Sequence, residues 1–330
     1  NRAATGTVAM TRLNLSLAAL ALLLATASLC WNPVGMLTLW QRSPEAARAI
    51  LIELRLPRAL LALAIGGSLG LTGAAMQGLL RNPLASPDVL GPSTGAALGA
   101  VIVAYTFGIA GTLAMALGGI GGALAALGLL LLLSRGGAST ATLLLAGVAI
   151  SALGGALTNL ALSLAPSPYA LYDVLFWLLG SLADRSLLHV VVALPPLLLG
   201  CALVLSGRRG LDALALGEDV AASLGVDVAA LRLRIVIGTA LAVGAGVAVA
   251  GSIGFIGLVV PHLVRPRVGG RPGAALVPSA LAGAALLCAA DLVVRLPVAG
   301  HDLKLGVVTA LIGAPFFLWL IVRQREVIEP

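Results

Sequence analysis

The sequence predicts an all-α, polytopic membrane protein of about ten transmembrane helices, and three observations predict it. First, 60% of the 330 residues are hydrophobic and 10% are charged, whereas soluble domains run at roughly 45–50% apolar and about 25% charged. Second, apolar runs of spanning length recur along the chain, separated by Arg, Pro and Gly clusters. Third, the 41 glycines suit helices that approach one another closely in lipid.

The opening NRAATGTVAM is expected to be a remnant or a processed end and stays outside the fold reading. The run 13–31 then gives a first span, since its length covers about 28 Å of bilayer at 1.5 Å per residue. Further spans are read at 57–79, 111–133, 142–165, 187–206, 233–252, 276–294 and 305–322. Two shorter runs, 91–107 and 253–264, are bordered by Gly and Pro and bring the number to ten.

Charge placement supports that number. With the N-terminus inside, 13 of the 20 basic residues fall in internal segments: Arg2, Arg12, Arg81, Arg135, Arg208, Arg209, Arg232, Arg234, Arg265, Arg267, Arg271, Arg323 and Arg325. The external segments hold Arg42, Arg48, Arg55, Arg58, Arg185, Arg295 and Lys304. This is the positive-inside asymmetry, and it places both termini in the cytoplasm. It also explains the formal charge of +7 as topology, so nucleic acid is not expected as a partner.

Between the sixth and seventh spans lies LGEDVAASLGVDV, residues 216–228, a polar helix in an apolar chain. Glu218 and Asp219 sit in a first turn, where acids suit the helix dipole, and Gly225 stands where a glycine stops a helix. Val220, Ala221 and Leu224 share one apolar face. A headgroup-resting helix would be rich in Lys and Arg on its polar face, so the acids favour a protein partner.

Several function classes lack their residues. A nucleotide-binding P-loop needs a Lys after glycine, and the one Lys is Lys304 in HDLKLG. Cys30, Cys201 and Cys288, with His189, His262 and His301, are scattered without metal-ligand spacing, so no metal or other cofactor is expected in the chain. No ionisable residue falls near the middle of a run, and Asp88, Asp173 and Asp291 are placed at or near span ends. An ion-driven secondary transporter of a small organic solute, the alternative class, would therefore lack its usual relay.

Small residues repeat at helical spacing: Gly66 and Gly70; Gly91, Gly95 and Gly99; Gly147, Ser151, Gly155 and Thr158. The first two sets read as close packing. The third is open between packing and lining a pathway. Two proline-broken stretches, RNPLASPDVLGPSTG (81–95) and GFIGLVVPHLVRPRVGG (254–270), occupy the two halves of the chain, the pattern of an inverted repeat in which residues 57 onward and 233 onward run in opposite senses. Arg55, Arg58 and Arg295 form an external cluster, open to two readings: snorkelling anchors or a docking site for carboxylates.

These residues resemble the FecCD-type permeases of importers for iron chelates, haem and vitamin B12. The resemblance rests on RLPR (55–58), GAAMQGLLRNPLASPDVLGPSTGAALG (73–99), LLLAGVAI (143–150), FWLLGSL (176–182), ALGEDVAASLGVDV (215–228), GSIGFIGLVVPHLVR (251–265) and GVVTALIGAPFF (306–317). It implies one permease domain over 1–330 in the bacterial inner membrane, working as a homodimer. It also implies two cytoplasmic ATPases that bind ATP and Mg, and a periplasmic substrate-binding protein. The loop at about 207–232 would be the coupling loop, with Gly217, Glu218, Ala221, Leu224 and Gly225 as its contact surface. Arg55, Arg58 and Arg295 would dock the binding protein. The segment 142–163 would line the path, with Ser139 and Thr140 near its gate. Haem or a ferric siderophore is expected ahead of cobalamin. The chain departs from the family at Asp302-Leu303-Lys304, where a Glu-x-Pro pattern is usual.

Overall fold

The computed structural model describes residues 2–106, 112–133, 140–296 and 303–326. Among these the secondary structure is helical throughout: α1 (Arg2–Leu29), α2 (Pro33–Arg42), α3 (Pro44–Ala49), α4 (Leu56–Leu79), α5 (Pro92–Thr106), α6 (Thr112–Leu133), α7 (Thr140–Ser163), α8 (Pro168–Leu178), α9 (Leu187–Ser206), α10 (Arg208–Leu214), α11 (Glu218–Ser223), α12 (Val228–Ala250), α13 (Ile256–Val264), α14 (Pro272–Val294) and α15 (Leu305–Glu326). A π-helical turn, Ile50–Arg55, fuses α3 to α4, and a 3₁₀ turn, Arg265–Val268, follows α13.

Seven described helical segments are long and apolar enough to cross a membrane, and α5 and α15 are shorter apolar helices. The expected elements are present, with three differences. The first helix reaches back to Arg2 instead of starting near residue 13. The second span continues upstream through the π turn to Pro44. Four short helices were not anticipated: α2, α3 and α8, each beginning with Pro at its first turn in stretches that read as connections, and α10, which precedes the expected polar helix.

Helices α4 and α12 form the centre and are the most buried of the spans. Each is apolar all round, the composition of a helix surrounded by others, and each owes its close neighbours to glycine. A Cβ on Gly70 would fall 2.0 Å from the Ser279 carbonyl oxygen of α14, and one on Gly66 2.5 Å from the Gly283 oxygen. The α5–α6 pair uses the same device, with Gly99 facing Gly118 and Gly95 facing Gly122. Backbone thus meets backbone where lipid supplies no hydrophobic drive.

Two units of the same plan run in opposite senses: α4, a break, then short α5; and α12, a break, then short α13. The C-terminal end of α4 packs Gly78 against Leu211 and Pro272, at the bundle end where α12 begins. The two breaks meet. Asp88 Oδ2 accepts from the Phe255 amide at 3.1 Å and Oδ1 accepts from Ser93 Oγ at 2.9 Å, so one carboxylate serves the starts of α5 and α13.

This corrects the placement of Asp88 at a span end. Its neighbours Val89, Leu90 and Gly91 touch Ser151, Gly147 and Ile150, the middle of α7, so the loop carries the carboxylate to mid-depth. Irregular backbone at that depth is held because it is buried in protein, and helix N-termini provide a setting that favours negative charge.

Candidate functional site

The polar loop folds as a compact foot. In α11 the Gly225 amide donates to Ala222 O and the Val226 amide to Ala221 O, with Gly225 at φ 82°. This pairing of bonds around a left-handed residue is how a glycine ends a helix. Gly217, at φ 118°, turns the chain into α11, in a backbone region open almost solely to glycine.

Most of the acids in the loop serve the chain itself. Asp212 Oδ1 accepts from the Gly273 amide at 2.8 Å, capping α14. Asp227 Oδ1 accepts from the Ala230 amide at 2.9 Å, capping α12. Glu218 pairs with Arg232. The foot is therefore fastened to two membrane helices, one of them central.

Among what the foot offers outward are three large apolar side chains, Leu216 at 66% exposed, Val220 at 42% and Leu224 at 62%, beside exposed Glu218 and Asp219. Ala221 is a correction to the sequence reading, because it is fully buried and cannot touch a partner. Its position one residue after Val220 turns it under the helix. Leu216 was missed because it precedes the helix, although an exposed Leu beside a glycine turn was a readable signal.

At the opposite end of the bundle two of the three arginines, Arg58 and Arg295, converge on Asp291. Arg58 donates from Nε to both Asp291 oxygens at 2.9 and 3.0 Å, with Nη2 2.9 Å from Oδ1. Arg295 donates from Nη2 to Asp291 Oδ2 at 2.6 Å, and its two terminal nitrogens also reach the Ser28 carbonyl and hydroxyl at 2.8 and 2.6 Å. Arg55 donates to the Leu29 carbonyl at 2.8 Å. Burial pulls the Arg295 guanidinium below its ordinary pKa, and the Asp291 carboxylate pushes it back up. The cluster ties the ends of α1, α4 and α14 together, so Arg58 and Arg295 are not free snorkelling anchors.

In the third small-residue set, Gly147 and Ser151 are packed. Gly147 lies against Leu90, with a Cβ there falling 2.7 Å from its side chain. Ser151 Oγ donates to Val89 O at 3.0 Å, and Thr158 is buried and donates to Gly154 O. Gly147 and Ser151 therefore face the broken segment before α5, whereas Gly155 is half-buried with open space beside it. Hydroxyls in lipid seek carbonyls, which turned that face inward.

The open face of α7 is the stripe Leu145, Val148, Ala149, Ala152, Leu153, Ala156, Leu157 and Leu160, with Asn159 beside it. Its spacing was legible but was passed over in favour of the hydroxyls. Thr140 begins α7, and Ser139 lies outside the described residues. Beyond α7, α8 exposes Tyr169, Tyr172 and Phe176. Lys304 sits with Nζ 5.3 Å from the Phe176 ring centre, a cation–π contact that links the start of α15 to α8.

Comparison with known proteins gives a consistent answer. The chain is 43% identical over 295 residues to the hemin transport system permease protein HmuU of Yersinia pestis, covering 88% of each chain. It is 42% identical over 292 residues to the Fe(3+) dicitrate transport system permease protein FecD of Escherichia coli, covering 88% of this chain and 90% of that one. A solved ABC transporter of metal-chelate type, in an inward-facing conformation, is similar with a TM-score of 0.82 and 31% identity over 95% of this chain and 99% of that chain. The FecCD transport family model matches residues 14–323, and this multi-pass membrane protein belongs to that family.

Proposed function

We propose that the chain is the membrane permease of an ATP-binding-cassette importer, working as a homodimer with two cytoplasmic ATP-binding subunits and a periplasmic substrate-binding protein. The observation that carries this reading is the foot: exposed leucines and a valine on a support rigidly capped onto α12 and α14, in a sequence without a P-loop lysine. Such a surface receives mechanical work and generates none. It sets the α11 end of the bundle in the cytoplasm.

Leu216, Val220 and Leu224 make the contact with the ATPase, while Gly217, Glu218 and Gly225 fix the shape of the foot. Arg55, Arg58 and Arg295 meet acidic residues of the binding protein at the other end. The open face of α7 borders the pathway between two copies of the chain, with Ser139 and Thr140 at its cytoplasmic entrance. A path lined by small and apolar groups suits a bulky metal chelate. The names of the relatives support haem or a ferric siderophore, with cobalamin behind them.

The test is to reconstitute the permease with its ATPase in nanodiscs and add the binding protein loaded in turn with haem, a ferric siderophore or cobalamin. One iron chelate is expected to raise ATP turnover above that given by the unloaded binding protein. Stimulation by cobalamin alone would replace the proposed substrate order, and indifference to every loaded form would refute the importer reading.

A further inference from the structure

The arginine cluster carries a counter-ion of its own. Asp291 is 1% exposed, while the side chains of Arg295 and Arg58 are 9% and 20% exposed. One acid therefore holds two guanidiniums by direct bonds, while Arg55 nearby adds a third positive charge felt by Arg295. The adjoining segment before α4 adds Arg42, Glu45, Arg48 and Glu53, whose charges cancel. A surplus of positive charge remains at the cluster.

The two holders of Asp291 are unequal. Arg295 is anchored twice more on Ser28 and is the more buried, so it is fixed by the fold. Arg58 has no other described partner than Asp291 and is the more exposed of the two. An incoming carboxylate can take Arg58 while Arg295 keeps Asp291 satisfied. Losing both would leave a buried charge unpaired, which is strongly unfavourable.

We infer that Asp291 is a positioning residue that competes with the acidic residues of the external partner for Arg58, holding docking affinity below what the arginines alone would give. The inference rests on the docking reading above. Because Asp291 lies on α14, the helix capped at its other end by Asp212 of the foot, exchange of Arg58 also alters the tether at one end of the helix whose other end is fastened to the foot.

The test measures binding of the unloaded binding protein to the complete transporter in nanodiscs, at low and high salt. Asp291→Asn is expected to tighten docking by about tenfold at low salt, with the gain shrinking as salt rises. Arg58→Gln should weaken docking by about tenfold. In the double variant Arg58→Gln/Asp291→Asn there is no Arg58 left to contest, so the gain from Asp291→Asn should vanish and docking should stay as weak as in Arg58→Gln alone, whose Asp291 remains paired with Arg295. If Asp291→Asn tightens docking as much in the Arg58→Gln background as in the wild type, or weakens docking while the protein stays folded, the competition does not exist. If the wild-type complex does not bind the protein at all, it is the docking reading that fails.

Discussion

Leu224→Asp is expected to strip the ATPase from the permease during purification while the membrane chain stays folded. The residue is 62% exposed on the foot, and an apolar anchor at the centre of a contact commonly carries about 2 kcal/mol or more of binding. Burying an unpaired carboxylate there adds a further penalty of order 1–3 kcal/mol. Together these weaken association by roughly a hundredfold or more. Folding should be spared, because the side chain makes no interior contact that the fold depends on, and Gly225 still ends α11. Ala221→Asp would give the opposite pattern, since Ala221 is fully buried, and it should reduce the yield of folded permease. Co-purification of the ATPase with Leu224→Asp, at wild-type stoichiometry, would remove the foot from the interface.

Gly70→Leu should abolish recovery of a monodisperse permease. The site has backbone on its far side: a Cβ there would fall 2.0 Å from Ser279 O, 2.9 Å from Ser279 C and 3.3 Å from Gly283 Cα. No rotamer relieves a clash with a carbonyl, so α4 and α14 must separate. Overpacking that side chains can absorb costs about 1–3 kcal/mol, and a backbone clash exceeds that range. Because α14 carries both Asp291 and the helix end capped by Asp212, its displacement disturbs both ends of the molecule. Gly155→Ala is the matched control. Nothing lies within 4 Å of a Cβ at that position, and replacing a helical glycine by alanine gains up to about 1 kcal/mol. Equal thermal stability of the Gly70→Leu and wild-type proteins in detergent would show that the glycine seam is not holding the helices.

The spans, the foot and the glycine seams were legible because each is written locally: apolar length, an acidic first turn followed by glycine, small residues four apart. What stayed hidden was tertiary. Arg58 and Asp291 are 233 positions apart, and nothing near either residue announces the other. Asp88 read as lying at or near a span end because it sits among prolines, and only the meeting of two broken segments carries it to mid-depth. The face of α7 stayed open between two readings for a reason special to membranes. A helix that is apolar all round has no polar side to mark what is exposed, and its hydroxyls turn towards protein carbonyls, the reverse of their habit in water. Ala221 shows the same limit on a smaller scale, since an i, i+1, i+4 face includes a residue that a six-residue helix rolls underneath.

The central claim is that this chain has no engine and is driven through its foot. The direct test reconstitutes the permease into liposomes with and without its ATPase and follows uptake of the chelate delivered by the binding protein, with ATP or an imposed proton or sodium gradient as the energy source. Uptake is expected only where ATPase and ATP are both present. Gradient-driven uptake by the permease alone would contradict the account.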